Sequence, residues 1–407
     1  MQLIFQSWRR IALLAAVGAA VALLAACGGS DKSGSGSSTT SGSATSKDPI
    51  VIGRLSAQTG RLQVFDGPIT QGLALAVSDI NAQGGIDGRK LVLKTLDYGS
   101  DPARAAAAAQ DLLGGHVDLM VPPDDQAPGL PVIQAATAKN VPSLNAISGP
   151  QATFKAAGRL YWNDYQNVPS EAAAAATFSV GRGYRRIFLL EDQIADYTKG
   201  FCAAYEASLR AQGGSIVGKD TFTSTETQIP AQIARMKSAG PDAVVLCTVP
   251  PGGVAAIKQV RDALPNVDLI GDAGFEGVFW HRAVPNLSRW YNVGAVSLTE
   301  RDPALQAMLR SFGAKYGSPP SAQLPALGYA IGQLYKAAVE RAGTTDTDKV
   351  AAALNGFKDQ ATVVGPTTYT PTCHVPVDRP MVIEGITNGR TSVVESVTPK
   401  GVPADAC

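Results

Sequence analysis

From residue 48 onward the chain alternates between short apolar runs and longer runs whose apolar residues recur on one helical face. Residues 49–55 (PIVIGRL) read as a strand, and residues 67–82 as a helix with Leu73, Val77 and Ile80 along one side. Gly84-Gly85 ends that helix, because glycine accepts the left-handed backbone that closes a helix. Residues 91–96 form the next predicted strand. Asp101-Pro102 then opens an alanine-rich helix over 103–113, with proline where a missing N–H costs least. The alternation continues with strands at 117–121, 142–145, 186–190, 215–221, 243–247 and 268–271, and with helices at 130–139, 170–180, 199–212, 228–238 and 254–264. Strands alternating with helices favour parallel sheets and right-handed crossovers. The fold class expected is therefore α/β, with two doubly wound parallel-sheet lobes. Ligands of such sheets sit outside the carboxyl ends of the strands, which points to the loops after Leu55, Val121, Asn145, Leu190, Cys247 and Gly271.

The first 47 residues break the pattern. Trp8-Arg9-Arg10 precedes an uncharged run over 11–26, which is shorter than the roughly 20 residues a spanning helix needs. A positive flank and a small-residue exit are the marks of a secretory signal. Leu24-Ala25-Ala26-Cys27 resembles a bacterial lipobox, which implies a signal over 1–26 and acylation of Cys27 as the mature N-terminus. Residues 27–47, rich in Gly, Ser and Thr, hold too little apolar surface to offset ordering and read as a flexible tether.

Composition then narrows the function classes. Removing the signal leaves 33 basic against 34 acidic side chains, without the cationic surface that nucleic-acid binding requires. An exported chain permits disulfides. With Cys27 lipidated, four cysteines remain. Cys202, early in a helix, and Cys247, at the end of the next βαβ strand, fall at one sheet edge, so Cys202–Cys247 and Cys373–Cys407 are the expected pairs. His116, His281 and His374 are widely separated, and no zinc, phosphate-loop or nucleophile-elbow motif occurs. No metal, no cofactor and no catalytic residue are expected. Asp124 and Asp125, in the segment VPPDDQAPG, are neighbours on an extended stretch and point to opposite sides, which argues against a catalytic pair.

Residues 50–113 carry a more specific pattern. Asp79 to Lys90 reads DINAQGGIDGRK, followed by Asp101-Pro102 at the next helix start. This stretch resembles the branched-chain amino-acid-binding protein family of type I periplasmic binding proteins. Weaker echoes lie at Asp196-Tyr197-Thr198-Lys199-Gly200, at Ala239-Gly240-Pro241-Asp242-Ala243 and at Gly328-Tyr329-Ala330. The resemblance implies two lobes joined by three crossovers, 48–166 with 298–345 and 167–297 with 346–407, that close on a small solute. It also implies a monomer that hands the solute to an ABC permease. Carried over by position, Phe65 covers the ligand, Asp125, Gln126 and Ser148 occupy the loops that receive a ligand carboxylate, and Tyr197 and Thr248 face them from the second lobe. Asp272, with Glu276 as its rival, is placed to meet the ligand's ammonium. A ligand carboxylate beside Asp124 or Asp125 would meet like charge at low dielectric, which favours a cationic, amide or polyhydroxylated solute. A ligand sensor for a signalling partner and an extracytoplasmic hydrolase remain the competing classes.

Overall fold

A computed structural model describes residues 48–146, 149, 156–226, 228–402 and 407. The signal, the tether, Cys27 and Ser148 lie outside the described residues. The first sheet has five strands in the order β2-β1-β3-β4-β5: β1 Ile50–Ser56, β2 Leu91–Asp97, β3 Leu119–Val121, β4 Ser143–Asn145 and β5 Tyr161–Asn163. All its pairings are parallel. β1 is buried along its whole length, as a central strand covered on both faces must be.

The second sheet has seven strands in the order β14-β13-β10-β9-β8-β6-β7. Five run parallel: β6 Arg186–Asp192, β7 Ser215–Phe222, β8 Ala243–Cys247, β9 Asp268–Gly271 and β10 Trp290–Gly294. The last two, β13 Met381–Thr387 and β14 Arg390–Val397, are antiparallel, so this sheet departs from the wholly parallel arrangement expected. Asn388 and Gly389 join them, with φ of 51° and 72°. A two-residue Asn-Gly turn with both φ positive matches the twist of a hairpin. β11 Gln360–Thr362 and β12 Gly365–Thr367 form a separate two-stranded ribbon.

Between the sheets the chain passes three times, after β5, after β10 and before β13. Helices Pro303–Tyr316 and Leu324–Ala342 return to pack on helix Gln63–Ala82, and helix Thr347–Asn355 packs on Leu324–Ala342. Buried polar contacts tie the passages together. Arg379 reaches Asp164 at 3.0 Å, and both are almost fully buried. Gln323 accepts from the backbone N–H groups of Ala295 and Val296 at 2.8 and 3.2 Å. Both expected disulfides, Cys202–Cys247 and Cys373–Cys407, are present. Among the described residues no helix is long and apolar enough to cross a membrane.

The contact between helices Gln63–Ala82 and Leu324–Ala342 is unusually close, because glycines face backbone. A Cβ on Gly72 would lie 1.9 Å from the Pro325 carbonyl oxygen, and one on Gly328 would lie 2.0 Å from that of Ile69. Neither contact can be relieved by a side-chain rotation. Gly328→Ala is therefore expected to lower unfolding free energy by about 1–3 kcal/mol. Gly181→Ala, at a helix position with open space around it, should be neutral or stabilise by a few tenths to about 1 kcal/mol. Denaturant unfolding of the two variants checks this pair.

Candidate functional site

The carboxyl ends of the two sheets face a cavity of about 1180 Å³, walled by residues from both sides and by the segment joining helices Pro303–Tyr316 and Leu324–Ala342. Much of the wall is apolar, with Leu62, Phe65, Leu130, Ile194, Val249 and Phe279 among its residues. A concave, mostly apolar space with a few polar groups is the usual form of a small-molecule site.

On the first-sheet side, the loop Pro122-Pro123-Asp124-Asp125 leaves β3 and enters helix Gln126–Ala138. This helix begins four residues before the predicted start. Asp125 caps it, its carboxylate accepting from the Ala127 N–H at 3.0 Å. The loop is held from beneath by Arg54 and Asp66, both almost fully buried, whose side chains pair at 2.6 Å. Arg54 also donates to the Pro122 carbonyl. The Asn145 amide donates to that of Pro123 at 3.0 Å. Asp66 completes its shell with the N–H groups of Ala57 at 2.7 Å and Asp124 at 3.0 Å. Burial and then the Asp66 charge push the Asp124 carboxyl well above the usual carboxylate range, with Arg54 pulling the other way and Asp125 adding to the rise.

The second-sheet side is built on carboxylates. Glu171 is fully buried in helix Val168–Gly181 and accepts from the Tyr197 hydroxyl at 2.6 Å and from the Ala273 N–H at 2.9 Å. Asp272 caps a short 3-10 turn, Ala273–Phe275, by accepting from the Gly274 N–H at 2.9 Å. Desolvation, followed by the Glu171 charge, raises the Asp272 carboxyl well above its ordinary range. Glu276 stands on the cavity wall, where its Oε2 accepts from the Gln323 N–H at 2.6 Å and its Oε1 finds no partner among the described residues. Burial and then the neighbouring Glu384 raise this carboxyl well above its ordinary range, against the pull of the Gln323 N–H.

Of the residues singled out from sequence, Phe65, Asp125, Gln126 and Tyr197 line the cavity. Thr248 and Asp272 lie one layer behind it. Thr248 is fully buried and donates to Asp192 at 2.7 Å, while Val249, Ala273 and Gly274 supply the wall surface. Glu276, the rival acid, is the one that reaches the cavity. Tyr165, which lines the cavity, and Glu171 were not foreseen, although a lone acid in the alanine run PSEAAAAA is the kind of buried charge that asks for a partner. Among the described residues no group of three His, Cys, Asp or Glu is placed to hold a metal.

The model of a periplasmic binding protein family matches residues 49–390, most of the chain. The chain belongs to this periplasmic binding protein family. Similar curated relatives include the Leu/Ile/Val-binding protein BraC3 of Rhizobium johnstonii, 26% identical over 79% of this chain and 87% of its own length. The Leu/Ile/Val-binding protein of Escherichia coli K12 is 24% identical over the same shares. Among solved structures, a branched-chain amino acid transporter substrate-binding protein from Streptococcus pneumoniae, bound to isoleucine, superposes with a TM-score of 0.76 at 23% identity, over 86% of this chain and 100% of its own. A solute-binding protein of an R. palustris ABC transporter, bound to benzoate, gives 0.72 at 18% identity over 86% and 97%. In this periplasmic binding protein the cavity between the sheets is where a solute would enter.

The raised carboxyl of Glu276 has a consequence for stability. A group whose pKa is higher folded than unfolded binds more protons in the native state, so its contribution is full below the unfolded value, about 4.3, and is lost as pH rises toward the folded one. Glu276→Gln removes that loss. The variant is expected to be more stable than the parent at pH 8 by about 1 kcal/mol or more and to converge with it near pH 4. Thermal unfolding across that range, without added solute, is the measurement.

Proposed function

We propose that this chain is the solute-binding component of an ABC importer, taking a small polar solute into the cavity between its lobes and presenting it to a permease. The observation that carries this reading is the cavity itself, about 1180 Å³ with walls from both sheets and three chain passages behind it. Membership in the periplasmic binding protein family and relatives named for binding leucine, isoleucine and valine support it. Rotation of the lobes about the passages would close the cavity over the solute and exclude water, which strengthens each polar contact inside. No step of covalent chemistry is required. In this reading Phe65, Asp125, Gln126, Ser148 and Tyr197 contact the solute, with Glu276 in place of Asp272 at the wall, and Thr248 and Asp272 support the surface from behind. The protein works as a single chain outside the cytoplasm, with an acylated Cys27 and the 27–47 tether holding it to the bacterial membrane.

A cognate solute at 100 times its dissociation constant is expected to stabilise the mature chain by about 2.7 kcal/mol. Melting scans against amino acids, amides, polyamines, urea-like compounds and small acids should find such a shift; a flat response to the whole panel contradicts the reading. Mass spectrometry of the mature N-terminus is expected to find an acylated Cys27. An unmodified residue there would remove the lipid anchor from this account.

A further inference from the structure

The edge of the second sheet that faces away from the cavity gathers arginine. Strands β6, β8, β9 and β10 begin on it, at Arg186, Ala243, Asp268 and Trp290. β14 begins there too, because Arg390 pairs with Thr387 and the neighbouring Ile386 with Trp290. Side-chain contacts tie this edge together. Asp242 accepts from the Arg185 and Arg186 N–H groups at 2.8 and 2.9 Å. Asp268, 5% exposed, pairs with Arg289 at 2.9 Å and accepts from the Tyr184 hydroxyl. Arg261 donates to the Arg289 carbonyl at 2.9 Å, and Arg182 donates to the Tyr291 hydroxyl at 3.1 Å with its guanidinium over the Phe178 and Tyr291 rings. Asp262, close by on helix Gly253–Ala263, is matched by Lys258 at 2.5 Å. Arg182, Arg185, Arg186, Arg261, Arg289 and Arg390 thus stand round Asp242 and Asp268, six charges against two, and all but Arg261 are exposed. The excess of positive charge is local, since the mature chain has 33 basic against 34 acidic side chains.

Neighbouring strands lie about 4.8 Å apart, so the row from Arg186 on β6 to Arg390 on β14 runs roughly 25 Å across the sheet. Cations crowded along one edge repel each other, and an extended anionic surface relieves all of them at once. We propose that this row docks on anionic phospholipid headgroups and sets the base of the second lobe on the membrane that holds the protein. Guanidinium groups suit phosphate, which they meet with two parallel hydrogen bonds. The inference uses the lipid-anchored reading above. Residues 27–47 reach at most about 75 Å from an acylated Cys27, which keeps the fold near the headgroups and raises their effective concentration at the row. That limit sets a distance and no orientation. The arginine row supplies the orientation, and because the cavity lies at the opposite ends of these strands, docking leaves the solute site clear.

The full mature chain is mixed with vesicles of phosphatidylcholine, alone or with phosphatidylglycerol, treated with phenylglyoxal and read arginine by arginine by mass spectrometry. On the anionic vesicles Arg182, Arg185, Arg289 and Arg390 are expected to react about threefold or more slowly than on the neutral ones. In about 1 M NaCl, where the Debye length is about 3 Å, the difference should vanish. Arg104 and Arg310, exposed on helices of the first lobe, are the references and should react alike on both. Arg185→Glu combined with Arg390→Glu is expected to remove the protection of Arg182 and Arg289 while solute binding is unchanged, with Arg185→Gln and Arg390→Gln as the second variant should the first fail to fold. Equal reaction on both kinds of vesicle overturns the inference, as does protection by soluble polyphosphate but not by vesicles. Flotation of the same samples separates the row from the anchor. A chain that floats with neutral vesicles yet gains no protection on anionic ones keeps its anchor and loses the docking surface. One that floats only with anionic vesicles, and only at low salt, keeps the docking surface and loses the anchor.

Discussion

A carboxylate sealed inside a protein must be surrounded by donors, and Asp66, 1% exposed, obtains them from three separate parts of the first lobe. The Arg54 guanidinium comes from β1, the Ala57 N–H from just beyond it, and the Asp124 N–H from the loop after β3. Satisfying Asp66 therefore fixes where that loop runs. It also draws the loop's N–H groups inward, away from the cavity. The same arrangement recurs on the other side, where Glu171 and Asp272 collect the N–H groups of the loop after β9. Donors nonetheless remain in the lining, where the Tyr165 hydroxyl is buried without a partner among the described residues and Arg61 is largely exposed.

Glu276 connects this surface to the second chain passage between the sheets. Its Oε2 accepts from the Gln323 N–H, and the Gln323 side chain in turn holds Ala295 and Val296 in the second passage. The first and third passages are bound to each other through Asp164, Thr367 and Arg379. The passages between the sheets are thus buried, hydrogen-bonded segments, and Glu276, at the cavity wall, shares a hydrogen-bond chain with one of them.

The alternation of strands and helices was legible because each element is buried along a regular period, and the expected order through β9 matches the structure except for β5, the three-residue strand Tyr161–Asn163, which was not read. The hairpin of β13 and β14 was not read, although Asn388-Gly389 between apolar runs is a strong local turn signal. Helix Gln126–Ala138 begins four residues before its expected start, because Pro128 falls in the first turn, where proline is tolerated, and Asp125 supplies the cap. The site was legible only in part. Phe65, Asp125, Gln126 and Tyr197 came from the family resemblance, but Asp66 meets Asp124 across 58 residues and Glu171 meets Ala273 across 102. Pairings at such separations are set by how the layers dock, and no local pattern announces them.

The most direct measurement is a crystal structure of the protein with the solute that co-purifies with it. A solute enclosed in the cavity between the sheets, in contact with Phe65 and Tyr197, is the result this account predicts. A solute bound elsewhere on the protein, with that cavity left empty, would contradict it.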